Sequence, residues 1–412
     1  MRRSFLLLFA APIVLAAQQP AADSPALTSA LESLKADNAW TLARQVALCE
    51  IPAPPFKEKE RGIAFRRELV TLGYANARID EVGNVIAEVA GAAKGPTVMI
   101  AGHLDTVFPE GTTVAVTRDG DRMKGPGIGD DCRGLAVVLA TARAVKRSGV
   151  KFAGRVIFVA NVGEEGPGDL RGTRHLIGTS YKGQVDYFIS VDGAGESITN
   201  RAVGSHRYRV HFLSPGGHSY GAFGMPNPIH AMGRAIATIS DIQVPLSPKT
   251  TFNVGIISGG TSVNSIAMEG TMDVDMRSES AEELATVDLK IRKAIDDAAA
   301  AELSRWPASS KGLTVRIDTI GMRPTGAQSD SAPIVRAALA TARRLGMSPT
   351  LGASSTDANF PISLGVPAIT IDGGGDGNGA HSLSEWYSDG PQGYLGPQWA
   401  LRLVAVLAGL AP

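Results

Sequence analysis

The chain has 412 residues, too many for one small core and enough for about two to three domains. Its 40 basic side chains are balanced by 40 acidic ones, and without a basic excess a nucleic-acid binder is disfavoured. Apolar residues make up 44% and glycine fills 47 positions, which fits a globular α/β protein with many tight turns.

The N-terminus reads as a separate object. Arg2 and Arg3 precede an apolar run over 5–15, and the small residues Ala16 and Ala17 follow. That order is the one found in secretory signals, and the run is too short to span a bilayer. The expectation is a signal over 1–17, an exported protein (periplasmic or secreted), no membrane insertion after cleavage, and a mature tail over 18–25. Arg2-Arg3-Ser4-Phe5-Leu6 also resembles an incomplete twin-arginine signal, so two export routes stay open. Two cysteines, Cys49 and Cys132, cannot build a disulfide framework. Cys132 sits two residues from Asp130 and reads either as a thiol ligand or, more commonly, as a small buried residue.

Residues 27–48 have helical periodicity, and 59–72 give a second helix stopped by Gly73. Strands are expected over 85–89 and over 97–101, the latter running into His103. An apolar helix over 135–145 follows a glycine-rich turn. The β-branched run 155–161 stops at Glu164, 187–191 stops at Asp192, and 367–371 precedes the loop of His381. Four apolar strands thus end beside four polar clusters, and in open α/β sheets ligands bind beyond the carboxyl ends of the strands. From 204 to 318 the rhythm changes to strand 206–213, helix 228–239, strands 252–257 and 269–276, helix 281–303 and strand 313–317. This βαββαβ order is ferredoxin-like. It contains no metal-type cluster, so it reads as an insert over 204–320 between two parts of one catalytic domain, 26–203 and 321–412.

The polar clusters carry the chemistry. In AGHLDTV, His103 and Asp105 share a face of extended chain. A metal-bound imidazole usually donates its other N–H to a carboxylate, so Asp105 can orient the site without being a ligand. In GPGIGDD, Asp130 and Asp131 open a helix, where carboxylates also serve as caps. Glu164 and Glu165 are adjacent and point apart, so one can bind metal while the other takes a proton from water; an isolated pair of this kind is more often a solvated acidic turn. His381 lies in a glycine-dense loop able to approach an ion closely or to lie free on the surface. His218, in PGGHS, belongs to the insert and can reach the site from above. There is no H-E-x-x-H helix, no G-x-S-x-G elbow and no P-loop. Together with Asp192 these residues supply the parts of two-metal hydrolysis: imidazoles, a carboxylate able to bridge, terminal carboxylates, and a spare carboxylate for proton transfer.

From about residue 40 onward, HLDTV, GPGIGDD, GEEG, Gly-Gly-His-Ser and the final His loop resemble, in order and spacing, the dinuclear-zinc peptidase family. That family includes peptidase T, carboxypeptidase G, succinyl-diaminopimelate desuccinylase, acetylornithine deacetylase and carnosinase. The resemblance implies an α/β, mixed-sheet zinc-peptidase catalytic domain with an inserted ferredoxin-like lid and dimerisation domain. It implies two Zn2+ per subunit, replaceable by Co2+ or Mn2+, with Asp130 bridging, His103 and Asp192 on one ion, and Glu165 and His381 on the other. Glu164 would be general base and then acid, and Asp105 would support His103. His218 would stabilise the oxyanion in its own site or across a homodimer. Asn264 and Arg277 match positions that hold a substrate carboxylate. The Cys132-Arg133-Gly134 run departs from the family's usual Lys-Gly-Gly and leaves the packing of that loop open. Asp at 192, where deacylases and carboxypeptidases tend to carry Glu, tilts the reading toward an exopeptidase that frees an N-terminal residue from short peptides. The alternative is an N-acyl-amino-acid deacylase or glutamate-type carboxypeptidase on the same site. An interaction protein with a retired site would lack a ligand or the base, and neither is missing.

Overall fold

The computed structural model describes residues 24–306 and 312–411. The expected signal over 1–17 lies outside the described residues. Four parallel strands form the centre of a mixed sheet, in the order Val156–Asn161, Val98–His103, Tyr187–Val191, Ala368–Ile371. Every residue of the first two is buried, which is why they read as continuous apolar runs and not as alternating ones. Val85–Val89 extends one side antiparallel, and Ile198–Ala202 extends the other. One face is covered by the helices Pro25–Ala36, Cys132–Ser148, Pro333–Arg344 and Leu395–Ala408. The opposite face is closed by the turn Leu176–Ser180 and the short helix Asn359–Ser363. Among the described residues no helix is long and apolar enough to cross a membrane.

The periodic stretch 27–48 is two helices, Pro25–Ala36 and Asn38–Cys49. Asp37 stands between them, and its carboxylate pairs with Arg143 and Arg147 on the Cys132–Ser148 helix. The expected tail is also shorter. Ser24 accepts the Leu27 N–H at 3.2 Å and Pro25 opens the first helix, a position where its missing N–H costs nothing.

A second, antiparallel sheet has the order Thr250–Gly259, Glu269–Ser278, Gly204–Leu213, Thr314–Arg323. Helices Pro228–Ser240 and Ala281–Ser304 bury one face around Tyr208, Val210, Met272, Ile291 and Ile295. This is the ferredoxin-like order read from the sequence. The open face alternates Arg207 and Arg209 with Asp273, Asp275 and Arg277. Its last strand runs to Arg323, well past the expected 317, and so carries that arginine to the larger sheet.

The long helix of this layer starts at an N-cap serine: Ser280 accepts the Glu283 N–H at 3.3 Å. Ser280→Ala is expected to lower the unfolding free energy by about 1 kcal/mol in urea titration.

Candidate metal centre

His103 is the last residue of its strand, and Asp192 directly follows Val191 on the neighbouring one. The His103 Nε2 lies 3.0 Å from Asp130 Oδ1 and 3.9 Å from Asp192 Oδ1. The His381 Nε2 lies 3.1 Å from Asp130 Oδ2 and 3.0 Å from Glu165 Oε1. Each oxygen of Asp130 therefore faces a different imidazole. Two donor triplets result, His103–Asp130–Asp192 and Asp130–Glu165–His381, each with its donor atoms within 4.8 Å of one another. Metal–donor bonds of about 2.0–2.1 Å in a tetrahedron place donors roughly 3.3 Å apart, so both triplets fit a small divalent ion. Glu164 falls within the same range of His103 and Glu165 and flanks the centre.

Around the donors, backbone groups fix the geometry. The His103 Nδ1–H donates to the carbonyl of Asp105 at 3.0 Å, which leaves Nε2 free to ligate. The Asp105 carboxylate, expected to support His103, lies 3.8 Å from that nitrogen. It also accepts the N–H groups of Glu164 and Glu165 at 3.0 and 2.7 Å, and so aims both glutamates at once. Asp131 accepts the His103 N–H at 2.8 Å and caps the following helix through Gly134 N–H at 2.9 Å. A Cβ on Gly134 would stand 2.2 Å from the Val191 carbonyl, so only glycine lets this helix start against the strand that carries Asp192. The buried Arg133 donates to the carbonyls of Gly373 and Gly393, binding the helix to the glycine-dense segment of His381. That answers what replaces the family's usual run. His381 itself stands at φ +65°, a left-handed conformation costly for a side-chain-bearing residue.

Three residues escaped the sequence reading. Glu385 is buried and accepts the N–H groups of Gly127, Gly129 and Asp130 at 2.7, 2.8 and 2.9 Å, shaping the loop that presents Asp130. Arg323, also buried, donates to Glu164 Oε1 at 2.9 Å, to the Glu164 carbonyl and to Ser355. Asp357 accepts from Asn161 and Thr173 beneath the Glu164 turn. Glu385, four residues after His381, was the one with a visible signal. Nothing local marks Arg323 or Asp357, because their partners lie 159 and 196 residues away.

The electrostatics follow from this crowding. Burial raises Glu165 to about 8 against its hydrogen bond from His381. Hydrogen bonds to Asp130 and Glu165 raise His381 to about 10. Burial opposes charge on His103, yet Asp131, Asp130 and Asp192 outweigh it and hold the imidazole well above its usual value. Asp130 is the reverse case: burial would raise it, and its bonds to both histidines hold it below the ordinary carboxylate range. Burial lifts Glu385 and Asp357 to about 7.

His218, Asn264 and Arg277, expected to serve the substrate and not the metals, lie on the smaller sheet and its loops. His218 is exposed on the two-residue strand Gly217–His218, paired with Ser265–Ile266, and its Nδ1 accepts the N–H groups of Tyr220 and Gly221. The Asn264 carbonyl accepts the Ser219 N–H at 2.9 Å, so these two share one patch. Arg277 is bound to Asp275, which also holds Arg207, and Arg207 donates to the carbonyl of Gly166 at 3.0 Å.

A model of peptidase family M20/M25/M40 matches residues 99–408, most of the chain. The chain belongs to that family. It is a metallopeptidase-type hydrolase acting on amide bonds, and its two triplets supply donors for a dinuclear centre. It is 25% identical to the uncharacterized protein YqjE of Bacillus subtilis over 297 residues, 70% of this chain and 76% of that one. It is 28% identical to carboxypeptidase G2 of Pseudomonas sp. over 221 residues, 51% of this chain and 52% of that protein. Aminopeptidase PepT from Bacillus cereus superposes with a TM-score of 0.69 at 20% identity, covering 90% of this chain and 98% of PepT, a likeness of fold.

Two outcomes follow from the shifted groups. Because His381 at about 10 and Glu165 at about 8 hold protons at pH 7 without metal, binding expels them, and affinity climbs as pH rises toward those values. Calorimetry in buffers of different ionisation enthalpy should record that release. Glu385→Gln should weaken metal binding about 10–100-fold in a competitive chelator titration, as loss of a support to a ligand loop usually does.

Proposed function

We propose that this chain is an exported dinuclear-zinc exopeptidase that frees the N-terminal residue of short peptides. The division of Asp130 between the two imidazoles carries the hydrolase part of this reading. Zinc suits the imidazole and carboxylate donors, with cobalt or manganese as substitutes. Bound there, two divalent ions would polarise the amide carbonyl and make water nucleophilic near neutral pH.

The chain's own groups complete the reaction. Glu164, with one oxygen held by Arg323, accepts the proton of the attacking water on the other and delivers it to the leaving nitrogen. The Nδ1 of His218 accepts two backbone N–H groups, so its proton sits on Nε2, a donor suited to the developing oxyanion. The exposed position of this histidine fits a role across a homodimer formed through the inserted layer. Asn264 and Arg277 would hold the substrate carboxylate, a task suited to a guanidinium. The aspartate at 192 supports the free-amine preference. The likeness to carboxypeptidase G2 over about half its length favours the second reading, a deacylase or carboxypeptidase.

Glu164→Ala is expected to keep both metals by elemental analysis and to lose at least about 100-fold in kcat. Retained turnover would remove Glu164 from its role. Chelated and zinc-restored enzyme should be compared on free-amine di- and tripeptides and on N-acylated amino acids. Zinc-dependent cleavage of only the acylated set would move the function to the second reading.

A further inference from the structure

A cleft of about 490 Å³ is lined by Thr112, Thr113, Ala115, Thr117, Lys124, Gly125, Pro126 and Leu383. That volume suits a small-molecule site. Two connections place it at the rim of the chemistry. Gly125 and Pro126 lead directly into the loop of Asp130, and the Gly125 N–H donates to the Glu385 carbonyl at 3.1 Å. Leu383 stands two residues beyond His381, and Lys124 pairs in register with Trp386 in a small sheet that includes Thr117–Asp119 and Asp376–Asn378. The cleft wall and the His381 loop are thus one hydrogen-bonded piece.

We propose that this cleft is a specificity pocket for an acidic side chain of the substrate. The inference rests on the hydrolase reading of the metal centre and adds a substrate class to it. Lys124 is the one charged residue in the lining, and the hydroxyls of Thr113 and Thr117 can donate toward the same ligand, while that of Thr112 donates to the Pro109 carbonyl at 2.8 Å. Ala115, Pro126 and the exposed Leu383 offer apolar surface to an aliphatic stem. A basic side chain would meet the Lys124 ammonium, and a purely apolar one would gain nothing from the ammonium or the free hydroxyls. Lys124 is bound at 2.5 Å to Asp119, but both groups are exposed, with 43% and 68% of their side chains open to water. Such a pair is screened and gives way readily to a partner inside the cleft.

The test compares matched substrates that differ only as Glu against Gln, or Asp against Asn, at each position of a zinc-dependent peptide and N-acyl panel. The wild-type enzyme is expected to prefer the acid by about five- to tenfold in kcat/KM at one position, the size of a partly exposed charge pair. Lys124→Arg should keep that ratio, Lys124→Met should bring it to about one, and Lys124→Glu should invert it. Hydrolysis with the same acid-to-amide ratio in wild type and Lys124→Met would overturn the pocket and leave the metal centre's role intact. No hydrolysis of any panel member by the zinc-loaded wild type would overturn the hydrolase reading and the pocket with it.

Discussion

Like charge held in a dry place governs this architecture. Asp105, Asp130, Asp131, Glu164, Glu165 and Asp357 converge where four strands end, and all but Asp130 are buried. In a low-dielectric interior, uncompensated carboxylates either repel one another or take up protons. The surrounding structure supplies positive ends to them: strand and loop N–H groups to Asp105, Asp131 and Glu385, the Arg323 guanidinium to Glu164, and two imidazoles to Asp130. What backbone and arginine leave unbalanced, two divalent ions can balance. The donor set is therefore the residue of an electrostatic problem that the fold solves everywhere else by hydrogen bonding.

The same compensation links the two sheets. The charged face of the smaller sheet reaches the Glu164–Glu165 turn through Arg207 on Gly166, and its final strand delivers Arg323 to Glu164. Motion of that layer would move both contacts together. Asp169 and Arg174 add further bonds to Met322 of that strand, so the turn that carries Glu164 is held to the inserted layer at several points.

Much of this was legible in the sequence. The buried parallel strands and the polar clusters at their ends gave the position of the site, and the βαββαβ rhythm gave the insert. His103, Asp130, Asp192, Glu165 and His381 meet as two triplets, as the family resemblance implied. What could not be read was contact between distant segments. Asp37 stands between two helices where the sequence shows one period, and its carboxylate meets two arginines on another helix. Asp105 accepts the N–H groups of the glutamate turn while lying 3.8 Å from the imidazole, a double role that spacing does not encode. Arg323 sits at the end of a strand bulged between Thr319 and Gly321, where the apolar alternation of Val315 and Ile317 shifts phase to Ile320 and Met322, so the sequence reading ended the strand too soon.

The bond between Glu385 and the loop of Asp130 spans more than 250 residues, and His381 and Arg323 reach the centre from the same late part of the chain. A ribosome makes the chain from the other end. His103, Asp130, Glu165 and Asp192 all emerge first, as a cluster of acids with one imidazole and a loop whose N–H groups have no acceptor. Only when the last segment folds back does the loop take its shape and the second triplet become complete. Metal capture is then a late event in the life of each molecule, and a chain cut short after the inserted layer would carry most of the ligands and still have no dinuclear site.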